Sequence, residues 1–170
     1  LYNLQIQFYI LLQIAIISIF IPTTVLYLFK TLGLINSIKV AEISERKLPL
    51  FIQILLMSLL ILKSVAIHQI PALYFFFVAG LISTIIAFIL LFLKVKASLH
   101  MIGICALTIC VIGLSIYFQN NSLYLISFLI LMIGCVASSR LEMKAHSFKE
   151  LLYGIIIGAI PQIVMLWYLL

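Results

Sequence analysis

Three short blocks carry the residue types that could do chemistry. The third is Ser139-Arg140-Leu-Glu-Met-Lys-Ala-His146-Ser-Phe-Lys-Glu150. His146 and Glu150 stand four residues apart, so on a helix they share a face. A carboxylate there can accept from one imidazole nitrogen and leave the other to attack, the orienting logic of a catalytic triad. The second block, Ala97-Ser98-Leu99-His100, supplies another imidazole. The first runs from Lys39 through Glu42, Glu45 and Arg46 to Pro49. Lys39, Arg46 and Arg140 offer the N–H donors and positive charge that an anionic phosphate needs. Two histidines suit phosphoryl transfer through a covalent phospho-histidine: one attacks phosphorus, the other protonates the leaving oxygen. Such a site needs no metal and no cofactor.

The elements that must position these blocks are membrane helices. Of 170 residues, 66% are apolar and 8% are charged, with a mean hydropathy of +1.39. An average soluble domain carries about 25% charged residues. This chain lacks the polar material for a water-facing surface, which excludes a soluble enzyme, a disordered chain, a coiled coil and a disulfide scaffold. The expected fold is all-α, a polytopic membrane helix bundle with about six transmembrane helices, forming a single membrane domain over residues 1–170. The apolar segments read 4–29, 49–67, 71–93, 100–118, 123–138 and 148–170. Each supplies roughly 17–25 residues, a bilayer-spanning length. A break is expected in the first near Pro22-Thr23-Thr24. That run is too long for a cleaved signal and has no basic flank before it. The sequence opens at Leu1 rather than Met, so a short leader is expected before it.

Alternating the membrane faces along the chain gathers the charge. Nine of the ten Lys and Arg residues, all four Glu residues, His100 and His146 fall on one face, in loops 30–48, 94–100 and 139–149 and their flanks. Lys63 alone lies elsewhere. Positive-inside bias concentrates Lys and Arg, but it does not bring His100, His146 and Glu150 with them. A one-sided set of ionisable groups at hydrocarbon is a functional-site hypothesis. The net charge of +6 points to phospholipid rather than nucleic acid, because a basic patch on a helix bundle meets lipid headgroups. No Asp occurs, so the clustered carboxylates that hold Mg²⁺ on a diphosphate are missing.

The three blocks, 39–49, 97–100 and 139–150, resemble the signature motifs of the type 2 phosphatidic acid phosphatase superfamily. The family pattern is K-x(6)-R-P, then P-S-G-H, then S-R-x(5)-H-x(3)-D. The third block matches at Ser139, Arg140 and His146, with Glu150 in place of Asp. The second matches at Ser98 and His100, with Ala97 and Leu99 where Pro and Gly would stand. The first matches at Lys39 and Arg46, with proline arriving only at Pro49. The resemblance implies a membrane lipid phosphatase with His146 as nucleophile, His100 as general acid and Glu150 orienting His146. Lys39, Arg46, Arg140 and Ser98 would bind the phosphate. It implies a lipid phosphate or polyprenyl diphosphate as substrate, membrane lipids as surroundings, and a bacterial cytoplasmic membrane as setting. The altered Pro and Gly positions favour the alternative, a non-catalytic membrane scaffold or lipid-binding subunit on the same fold with a membrane protein as partner.

The remaining residues read as structural. Cys105, Cys110 and Cys135 lie in apolar runs and are expected to pack as small apolar side chains. His68 is expected in a solvated turn, and Tyr74 to Phe77 at the interface or facing lipid. Gly154 and Gly158 form a small-xxx-small pair, expected to pack the last helix closely against a neighbour in the same bundle and so to fix His146 and Glu150.

Overall fold

The computed structural model describes residues 4–35, 42–64 and 70–169. It is all helical, with no strand among the described residues. The chain falls into two compact units, Leu1–Tyr74 and Phe75–Leu170.

The first unit holds α1 (Leu4–Ala15), a π-helical turn (Ile16–Phe20), α2 (Ile21–Thr31) and α3 (Ile43–Lys63). The break expected near Pro22 is absent, and the helix runs through. Proline lacks an N–H and its ring crowds the carbonyl four residues back. The wider π turn relieves this: the Ile21 N–H bonds back five residues to the Ile16 carbonyl. Hydroxyls serve neighbouring carbonyls, Ser18 donating to Ile14 (2.6 Å) and Thr23 to Ile19 (2.6 Å). Phe29 and Ile35 are buried against Val25, Leu26 and Ile52, which seats α2 on α3. The second apolar segment begins earlier than expected. Helix α3 starts at Ile43, so Pro49 is its seventh residue and Arg46 its fourth. Its uncharged stretch, Leu48 to Leu62, is about 22 Å at 1.5 Å per residue, short of the ~30 Å hydrocarbon core.

The second unit holds most of α4 (Pro71–Phe92), with α5 (Leu99–Tyr117), α6 (Leu123–Glu142) and α7 (Phe148–Leu169). Helix α5 lies against both α6 and α7. Met101 and Cys105 pack with Leu151, Ile133 and Val136. Ile102 packs with Ala87, Ala97 and Ile157. Close approach of α5 and α7 depends on glycine, as the small-xxx-small pair predicts. A Cβ on Gly154 would sit 2.7 Å from Met101 Cβ and 2.8 Å from the Ser98 carbonyl oxygen. One on Gly158 would sit 2.5 Å from the Ile102 carbonyl oxygen. Phe77 turns inward and is buried, against the expectation for the aromatic run, and stacks edge-on against Phe76 at 5.4 Å.

Among the described residues, five helical stretches are long and apolar enough to cross a membrane: Gln7–Thr31 and the whole of α4, α5, α6 and α7. The protein is an integral membrane protein. Helix α7, about 33 Å long, separates two chemically different ends. At one end stand Tyr117, Tyr124, Trp167 and Tyr168, all exposed, the aromatic belt of a membrane interface. At the other stand Lys94, Lys96, Arg140, Lys144 and Lys149. The turn from α5 to α6 is short, residues 118–122. His68, with its expected turn, lies outside the described residues.

Candidate active site

The site assembles where α7 begins. Ser147 and Glu150 form a capping box: the Ser147 N–H donates to Glu150 Oε2 (3.1 Å), and the Glu150 N–H donates to Ser147 Oγ (3.4 Å). The same Glu150 Oε2 lies 2.9 Å from His146 Nδ1. A carboxylate oxygen at this distance can accept the Nδ1–H of the imidazole. The pairing predicted from the four-residue spacing is present, although His146 precedes the helix. The cap bends the chain so that the imidazole meets the carboxylate. His146 is well sheltered, its side chain 5% exposed.

The block around Ser98 meets this corner directly. The Ser98 N–H donates to the Glu150 carbonyl oxygen (3.2 Å). Lys96 Nζ stands 3.9 Å from Glu150 Oε1. Lys96 thus belongs to this corner, although the family pattern has no position for it. Its signal was a cation two residues before the serine. The carboxylate is thereby divided, one oxygen serving His146 and the helix cap, the other facing Lys96.

Ser98 occupies the N-cap position of α5, with φ −77° and ψ 108°, yet its hydroxyl caps nothing. It is fully buried, and its Oγ has no hydrogen-bond partner among the described residues. Arg140 Nε, in the last turn of α6, is likewise buried and has no partner among the described residues. Buried polar groups are nearly always satisfied. Two that are not, the Ser98 hydroxyl and the Arg140 Nε–H, stand near the same end of one unit. His100 is the second residue of α5 and exposed, at the positive end of the helix.

The departures from the motif have visible places. Ala97, where the family has proline, is buried beside Ala87, Ile102 and Ile157. Leu99, where it has glycine, is 40% exposed. Arg46 belongs to the first unit. Lys39, predicted to bind phosphate, lies outside the described residues. An open groove of about 700 Å³ along α6 is lined by Leu131, Gly134, Cys135, Ser138 and Glu142. It is not lined by His100, Arg140 or His146. Arg140 is two residues from both Ser138 and Glu142, which on a helix turns it away from that face. Cys105 and Cys110 are buried as expected for packing residues, whereas Cys135 is exposed on that groove. Among the described residues, no three His, Cys, Asp or Glu side chains cluster as a metal site would require. No protein-family model, no curated protein and no solved structure matches the chain.

Proposed function

We propose that the protein is a membrane-embedded lipid phosphatase acting through a phospho-histidine, as its resemblance to the type 2 phosphatidic acid phosphatases implies. The carrying observation is the 2.9 Å contact between His146 Nδ1 and Glu150 Oε2. It holds the imidazole through Nδ1, and in this reading Nε2 is the atom that attacks phosphorus. In the first step Nε2 forms a bond to phosphorus while the bond to the lipid oxygen breaks. His100 gives its proton to that oxygen. In the second step water loses a proton to His100 and attacks the phospho-His146, the P–N bond breaks, and inorganic phosphate leaves. Arg140 and the Ser98 hydroxyl hold phosphoryl oxygens, and Lys39 and Arg46 join them by resemblance. Substrate tails lie in hydrocarbon, and the reacting phosphate sits at the charged end. The proposed setting is a bacterial cytoplasmic membrane.

A second reading is a non-catalytic scaffold. It is favoured by the capping box, which gives Glu150 a structural task of its own, and by the shelter of His146. Phosphate release separates the two. Purified protein in nanodiscs, given a polyprenyl diphosphate or a phosphatidate with chelator present, releases phosphate under the first reading, and His146→Ala does not. Equal release by both proteins rejects the first reading.

A further inference from the structure

Lys94 and Lys144 occupy backbone positions that favour glycine. Each follows the C-cap of its helix, with φ of 57° and 50°. Each closes a Schellman turn. The Val95 N–H bonds the Leu90 carbonyl and the Lys94 N–H that of Leu91; the Ala145 N–H bonds Arg140 and the Lys144 N–H bonds Leu141. The same turn after α2 uses Gly33, with φ 72°. A side chain in this left-handed conformation is disfavoured relative to glycine. Lysine stands there twice, both times at the charged end.

The surroundings fit an amphiphile. Lys94, Lys144 and Lys149 are exposed, and none forms an ion pair among the described residues. With Lys96 and Arg140 they give five cations against Glu142 and Glu150, a balance of 5 − 2 = +3. Directly beside them, Phe92, Leu93, Met143 and Phe148 are exposed. The opposite turn, Phe118-Gln-Asn-Asn-Ser122, carries no charge.

We infer that this lysine collar binds the phosphate groups of anionic membrane lipids. Cations spread around an apolar rim suit headgroups whose chains lie against the rim. A free phosphate ion would gain nothing from the exposed Phe92 and Phe148. This inference does not use His146 and stands apart from any catalytic role.

The test compares the full chain in phosphatidylcholine nanodiscs and in nanodiscs of equimolar phosphatidylcholine and phosphatidylglycerol. Thermal midpoints and retained lipids, counted by native mass spectrometry, are read in both. Phosphatidylglycerol raises the midpoint of the unchanged protein, as a ligand of the folded state does. Lys94→Gly/Lys144→Gly raises the midpoint in phosphatidylcholine, because the backbone strain is removed. It also shrinks the phosphatidylglycerol increment, and association with that lipid falls about fivefold per lysine. Gln119→Gly, which relieves the same conformation (φ 51°) at the uncharged end, raises the midpoint and leaves the increment unchanged. An equal increment in the double variant overturns the inference. So does a midpoint in phosphatidylcholine that falls in the double variant, which shows that the lysines hold the fold instead. Inorganic phosphate reproducing the increment in phosphatidylcholine also overturns it, in favour of a free-ion site.

Discussion

The Ser98 N–H donates to the Glu150 carbonyl oxygen across 3.2 Å, and so joins the loop that leads to His100 to the first turn of α7. This one bond brings the second and third sequence blocks together. It forms because α5 and α7 approach closely enough at Gly154 for a backbone contact.

Gly154→Ala therefore separates the two blocks. The added methyl meets the Ser98 carbonyl and Met101 Cβ, and neither can swing away as a flexible side-chain tip would. Overpacking of this kind costs about 1–3 kcal/mol. The expected outcome is a lower thermal midpoint in nanodiscs together with a loss of phosphate release. Gly134→Ala, where an added Cβ meets nothing within 4 Å, is expected to leave both unchanged.

Glu150→Gln distinguishes orienting from capping. The amide oxygen still accepts from the Ser147 N–H, so α7 keeps its cap and stability changes by less than about 1 kcal/mol. The charge that fixes the His146 tautomer is lost. By analogy with triad carboxylates, phosphate release is expected to fall about 10²–10⁴-fold. Release within a factor of two of the unchanged protein would mean that Glu150 is only a cap.

Ser83→Ala tests how the bundle carries a proline. Pro161 leaves the Ile157 carbonyl on α7 without its helical donor, and Ser83 Oγ on α4 donates to it at 2.8 Å, sharing its proton with the Ala79 carbonyl at 3.0 Å. Removing the hydroxyl leaves a buried acceptor unsatisfied, at a cost of about 1–3 kcal/mol. Equilibrium unfolding of the variant checks this. Ser83→Ala combined with Pro161→Ala is expected to recover most of the loss, because the restored N–H again serves Ile157.

The helices were legible because hydrocarbon demands long apolar runs, and segment ends from Pro71 onward fall within a few residues of the helices. The pairing of His146 with Glu150 was expected from a shared helix face; the contact is present, but His146 stands before the helix and the capping box brings the two together. Other features were not legible, for identifiable reasons. Pro22 signals a break only when no wider turn is available, and a π turn leaves no pattern in apolar residues. Ser147 and Glu150 have capping-box spacing, but Glu150 also stands four residues after His146, and spacing alone does not show that one carboxylate serves both. Lys96 faces Glu150 through tertiary packing, which sequence distance hides. Phe77 sits in an aromatic run whose members differ only in which way the helix turns them.

In the proposed reaction His146 carries the phosphoryl group between the two steps. The most direct test is rapid acid-free quenching of the protein during turnover of a ³²P-labelled lipid phosphate, followed by mapping of the label by mass spectrometry. Label on His146, absent in His146→Ala, is the expected result. Turnover with no label on His146, or label carried by another residue, would contradict it.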